Sequence, residues 1–204
     1  MEYFAICKSK TVHLNNVIHS SIDSNMTAQE INAALHHTMT PYLEAIGTYT
    51  DEQFAHKEAD DIWSLGELYE HLVLSANYFF LANTMRSLDK RKGQEGGEMN
   101  AKADNAYKYN GFPPIKVKMP ASESTMKVEV KEKGSYVGSF SKIIADLDAL
   151  TERVAEDDGT YKVNHSAFGW LNAEQWYQML EIHHRHHLRQ KAELEGFAGV
   201  SNVS

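Results

Sequence analysis

A chain of 204 residues with 42% hydrophobic and 24% charged side chains is long enough for one domain with a substantial core, and its balance is that of a globular protein. The net charge of −8 argues against a protein that mainly grips nucleic-acid phosphates. A single cysteine, Cys7, excludes an internal disulfide and a multi-cysteine metal site, and fits a reducing compartment. The apolar stretches are broken too often for a membrane span, and Met1 to Ile18 shows neither a continuous apolar core nor a cleavage pattern, so the expectation is a cytoplasmic protein with no membrane partner. Charge is spread unevenly: residues 86–134 carry +4 and the remainder −12. A solvated, lysine-rich connection is the favoured reading of that segment, and a positive flap attracting an anionic substrate is the sharper one.

Residues 1–26 read as an N-terminal extension with no assigned role. Thr27-Ala28-Gln29-Glu30 is a capping box, and Ile31, Ala34, Leu35, Tyr42, Leu43 and Ile46 give a first helix its apolar stripe. Pro41 is expected to kink or interrupt that helix and Gly47 to stop it. A second box, Ser64-Leu65-Gly66-Glu67, starts a helix carrying Leu65, Leu68, Leu72, Ser75, Phe79 and Ala82 at helical spacing, with Trp63 placed to staple its start. His71 sits at the edge of this stripe, about 60° from Leu68.

Residues 87–137 hold Gly93, Gly96, Gly97, Pro113-Pro114 and many lysines, and read as a long crossover that allows one short strand from Met126 to Lys131. A third helix is predicted from about Ser141 to Ala155 on Ile143, Ile144, Leu147, Leu150 and Val154, ending at Asp157-Asp158-Gly159. The fourth begins at Asn172, with Gln175 at its third position, and runs to about Glu195 before Gly196; residues 197–204 form a tail. The sum is an all-α fold, a four-helix bundle over residues 27–196 with one long crossover between helices 2 and 3.

Four of the eleven histidines fall within five residues of the last helix, His183-His184-Arg185-His186-His187. His183 and His187, spaced i, i+4, project roughly 40° apart on one face. Trp176, Leu180 and Leu194 share that direction, so the outer pair faces the core while His184 and His186 lie roughly 80° to either side. His184 and His186 are expected to be solvated near the helix C-terminus. Two inward imidazoles leave ring nitrogens unpaired unless something binds them, and one metal ion satisfies both. His71, alone better read as a hydrogen-bonded core residue, becomes the third ligand beside the pair. Three neutral imidazoles suit one divalent ion, zinc or nickel first, with iron, cobalt or manganese compatible. They also leave a coordination position open, which favours an enzyme over a closed structural site. Gln190 is placed to orient a ligand, though a surface glutamine fits as well. His165 either lines the site or is a turn residue. Glu67 is expected to be spent on its cap and Glu70 to be solvated.

Trp63, Glu67 and His71 in the pattern W-x3-E-x3-H resemble the DinB/YfiT-like superfamily. So do the block His165-Ser166-Ala167-Phe168-Gly169-Trp170-Leu171-Asn172, then Trp176, and His183-x3-His187-x2-Gln190. The resemblance covers about residues 27–196. It departs at Ser166, where many relatives have proline, and in the N-terminal extension. It implies a four-helix bundle with a three-histidine metal site on the second and last helices, which maps onto His71, His183 and His187. It further implies a homodimer, a small-molecule substrate, and either S-transfer from a low-molecular-weight thiol such as bacillithiol or mycothiol, or hydrolysis by activated water. The alternative function is a non-catalytic, stress-related bundle that binds a metal or ligand. Nothing in the chain supports nucleic-acid binding.

Overall fold

The apolar stripes become the long helices of a computed structural model that describes residues 26–113 and 128–200. In chain order these residues form α1 (Ala28–Ile46), α2 (Asp51–Ala55), α3 (Leu65–Ser75), a π-helical turn (Ala76–Leu81), α4 (Ala82–Leu88), β1 (Gln94–Glu95), α5 (Ala101–Lys108), α6 (Ser135–Ala155), β2 (Tyr161–His165), β3 (Gly169–Leu171) and α7 (Ala173–Phe197). The fold is an all-α bundle of α1, α3 with its π turn and α4, α6 and α7. Helix α1 packs on α6 and α7, and α3 packs on the same two, while the π turn and α4 lie along α7. Among the described residues no helix is long and apolar enough to cross a membrane.

All three capping boxes form. At α3 the Ser64 hydroxyl accepts from Glu67 N–H at 3.1 Å, and the Glu67 carboxylate accepts from Ser64 N–H at 2.7 Å. Thr27 with Glu30 and Asn172 with Gln175 do the same. Each box satisfies helix-start donors that have no partner inside the helix, which is why these boundaries are sharp. A fourth box, Thr50 with Gln53, starts the short α2.

Several boundaries differ from expectation. Pro41 does not interrupt α1, which runs unbroken from Ala28 to Ile46. The proline deprives only the His37 carbonyl of its helical donor, and His37 is exposed, so water can replace it. Helix α6 starts six residues before the predicted Ser141, at Ser135, because the Glu132 carboxylate accepts from the N–H groups of Gly134 and Ser135. The π turn was not predicted either. Its extra residue rotates the helix face, so Phe80 and Leu81 are buried while Phe79, expected inward, is only partly so.

The core between the helices is aromatic. Trp176, Tyr42, Tyr69, Tyr136, Tyr177 and Phe140 are essentially inaccessible. Buried phenols need partners for their hydroxyls, and they find them. Tyr42 donates to the His184 carbonyl at 2.7 Å and Tyr69 to the Tyr42 carbonyl at 2.8 Å. Tyr136 donates to the Glu70 carboxylate at 2.8 Å, with Lys131 Nζ 3.2 Å from the other Glu70 oxygen. Glu70 is therefore buried and paired, not solvated as expected.

The crossover between α4 and α6 carries more structure than its composition suggests. Val128 to Lys131 forms no strand, and Met126 and Lys127 lie outside the described residues. Instead β1 joins β2, and β2 joins β3, in a small antiparallel sheet. The alternation of Tyr161, Val163 and His165 is the only sequence mark of β2. Helix α5 follows β1. Its cap Asn100 accepts from the N–H groups of Lys102 and Ala103, and its side-chain amide donates to the Ala167 carbonyl at 2.8 Å. The backbone N–H of Asn100 donates to the Phe168 carbonyl at 3.0 Å. The crossover is thus fastened to the β2–β3 hairpin.

Gly169 makes this junction feasible. Its φ of +83° lies in the left-handed region, and a Cβ there would sit 2.7 Å from the Glu98 carbonyl oxygen. Replacing it with alanine is expected to destabilise the protein by about 2 kcal/mol or more, from backbone strain and that clash together. Urea denaturation of Gly169→Ala, read as a lowered midpoint at unchanged slope, checks it.

Candidate metal centre

Helices α3 and α7 run in opposite directions. His71 meets His183 and His187, whereas Phe80, further along the chain, meets Trp176 and His183. This crossing brings three imidazoles together. His183 Nε2 lies 3.2 Å from His71 Nε2 and 3.2 Å from His187 Nε2. One ligand atom from each ring falls within 4.8 Å of the other two. With metal–nitrogen bonds of about 2.1 Å, ligands sit about 3.4 Å apart at tetrahedral corners and about 3.0 Å apart at octahedral ones. The two separations of 3.2 Å fall between and the third lies within 4.8 Å, so the three rings could hold one divalent ion.

The protonation states fit as well. Burial holds His71 down to about 4, with His184 adding to the effect. Burial, and then His71, holds His187 at about 3. Burial, followed by His187 and His71, keeps His183 well below its ordinary value. All three are neutral near pH 7, the form that ligates. Gln190 Oε1 lies 2.7 Å from His187 Nδ1. An amide oxygen only accepts, so Nδ1 carries the hydrogen and Nε2 presents its lone pair to the other rings. His183 Nδ1 is buried without a partner among the described residues.

The other sequence expectations fare unevenly. Glu67 is spent on its cap, as expected, and also pairs with Lys57. His184 is fully buried and not solvated. Its Nδ1 donates to the Leu180 carbonyl at 3.0 Å, and its ring meets the edges of Tyr42 and Phe140. Burial rather than solvent follows because α1 and α6 cover this face of α7. His186 is only partly buried and packs on Phe112. His165 stands at the end of β2 with no hydrogen bond to the three imidazoles. Its Nδ1 accepts from Ala167 N–H at 3.0 Å, and its ring stacks on Trp176. Trp63 packs its ring 5.0 Å from His71, walling the centre as well as preceding the cap.

The aromatic surroundings were not legible as a unit. Ring contacts form a closed circuit: His183 to Phe80 (4.9 Å), Phe80 to Trp176 (6.4 Å), Trp176 to His165 (5.2 Å) and His165 to Phe168 (4.5 Å). It returns through Phe112 (5.8 Å from Phe168), His186 (5.5 Å) and His187 (5.6 Å). Phe80 enters through the π turn and Phe112 through the crossover, so periodicity alone could not have found either.

A family model described as the DinB superfamily matches residues 34–190. No curated protein and no solved structure matches the chain.

Two outcomes follow from the centre. Proton competition for a ligating imidazole sets in only below its pKa, so zinc affinity is expected to stay nearly flat from pH 7 to about 5, where an exposed histidine site would already weaken. The metal-free protein behaves oppositely. Its depressed histidines stay neutral while the unfolded chain takes up protons below about 6.5, so stability falls as pH drops from there towards 4. Competitive zinc titration and urea unfolding of metal-free protein across this range check both signs. Separately, Gln190→Leu frees the tautomer of His187 and is expected to weaken zinc binding about 10- to 100-fold without changing its stoichiometry, read by the same titration.

Proposed function

Because the chain belongs to the DinB superfamily, we propose that it is a metal-dependent enzyme in which His71, His183 and His187 hold one divalent ion and a low-molecular-weight thiol is the activated nucleophile. The gathering of three imidazole nitrogens within 4.8 Å of one another carries the reading. Three protein ligands leave coordination open to a small molecule. A divalent ion bound there supplies the positive charge that lets a thiol or a water lose its proton near neutral pH.

What the chain's own residues do favours the thiol. Glu67, one turn before His71, is held by Ser64 N–H and Lys57. Glu181, two residues before His183, is held by Thr38 and Arg185. The rings of Trp63 and Phe80 place apolar surface against His71 and His183. A thiol, with the lower pKa, can give its proton to bulk water before it reaches the centre and so arrives as thiolate with no carboxylate needed to take that proton up, more readily than water can. The sulfur then bonds to an electrophilic carbon as that carbon's bond to its leaving group breaks, and the electron pair departs with the leaving group. Zinc or nickel is the ion we favour, a cytoplasmic location fits the reduced thiol it uses, and the homodimer remains part of the proposal.

Elemental analysis of untagged protein, purified without added metal, is expected to find about one divalent ion per chain, lost in His183→Ala. Turnover of an electrophile such as 1-chloro-2,4-dinitrobenzene should require both thiol and metal. Full metal content in His183→Ala would sink the ligand assignment. Ester hydrolysis without thiol would replace the transferase by a hydrolase, and a loaded site inert to both substrates would leave a binding protein.

A further inference from the structure

We propose that His165 is a substrate-positioning residue, its Nε2–H donating to a carbonyl oxygen of a flat, uncharged molecule whose reactive end reaches the three imidazoles. The inference rests on the metal-site reading above.

The tautomer is fixed by the hairpin. His165 Nδ1 accepts from Ala167 N–H at 3.0 Å, so in the neutral ring the hydrogen resides on Nε2. Burial keeps the ring neutral, with its pKa down to about 4. His165 is only 9% exposed, and its Nε2 has no partner among the described residues. A donor in such surroundings gains most from an acceptor that arrives with a ligand. The neighbouring indole shows the contrast: Trp176 Nε1–H already donates to the Val163 carbonyl at 3.3 Å.

The walls define the rest of the ligand. Trp176 stacks on His165 at 5.2 Å, Phe168 lies 4.5 Å away, and the Phe79 ring meets it edge-on at 5.1 Å. Trp176 is fully buried behind His165, whereas the partly exposed rings of Phe168 and Phe79 suit a flat apolar body. None carries a charge, so an uncharged carbonyl is matched better than a carboxylate, which would be desolvated without a counter-ion. Phe80 links this wall to His183. The hairpin is held by Asn100 and by the close approach of Gly169 to Glu98, so the donor is presented by a fixed scaffold.

The test uses the zinc-loaded full chain with benzamide as probe. Proton–nitrogen NMR of the histidine rings should show His165 protonated at Nε2, with that resonance moving on benzamide addition. His165→Phe should weaken benzamide at least tenfold, while His165→Gln, which restores an N–H at similar reach, should stay within threefold of wild type. Toluene, lacking the acceptor, should bind wild type and His165→Phe alike. His165 found protonated at Nδ1, an unmoved resonance at millimolar benzamide, or equal benzamide affinity in His165→Phe would overturn the proposal. The wild-type spectrum decides even if a variant fails to fold. Zinc stoichiometry, measured in parallel, keeps the two readings apart. Loss of zinc by wild type with the benzamide shift intact refutes the metal centre alone, and full zinc with no shift refutes this proposal alone.

Discussion

Desolvation of three like groups at one point is the constraint on which this structure turns. Imidazoles from α3 and α7 approach to 3.2 Å inside a bundle whose neighbouring surfaces are aromatic. Each can stay there only in its neutral form, and at most one ring N–H is then shared between the facing lone pairs. Apolar residues at the same helical positions would pack more simply. The bundle retains histidines, and spends a glutamine on orienting one of them, which makes sense when a cation completes the group.

The helices supply alignment and the irregular parts supply the enclosure. The capping boxes fix where α3 and α7 begin, and therefore the height at which His71 faces His183 and His187. The π turn then redirects Phe80 onto His183. The crossover and hairpin add Phe112, His165 and Phe168, which no bundle helix could provide. Departures from regular helix concentrate at the centre, as is common for π-helical turns at functional sites.

Sequence reasoning reached the bundle and the inward pair His183 and His187 because both rest on period; His71, at the edge of its stripe, joined them only as the third member beside that pair. Apolar spacing marks the inward faces of α1, α3, α6 and α7, and the same wheel singles out His183 and His187 from four adjacent histidines. It mistook His184 because a wheel gives direction and not what covers it; α1 and α6 bury a flank of α7 that looked free. Glu70 was misread for the same reason, its partner Tyr136 being 66 residues away. The two-residue β1 and the short α5 were missed because elements of that length have too few residues to show a period, and their hydrogen bonds go to a hairpin distant in the chain. Pro41 leaves α1 uninterrupted because the acceptor it deprives of a donor, the His37 carbonyl, is at the surface.

Asn100 holds two posts at once. Its carbonyl oxygen receives the first N–H groups of α5, and its amide nitrogen grips the hairpin at Ala167. Because one rigid planar group serves both, releasing the hairpin also uncaps the helix. The wall bearing Phe168 and the segment leading to Phe112 are therefore tied through one side chain, and a change at position 100 would disturb both.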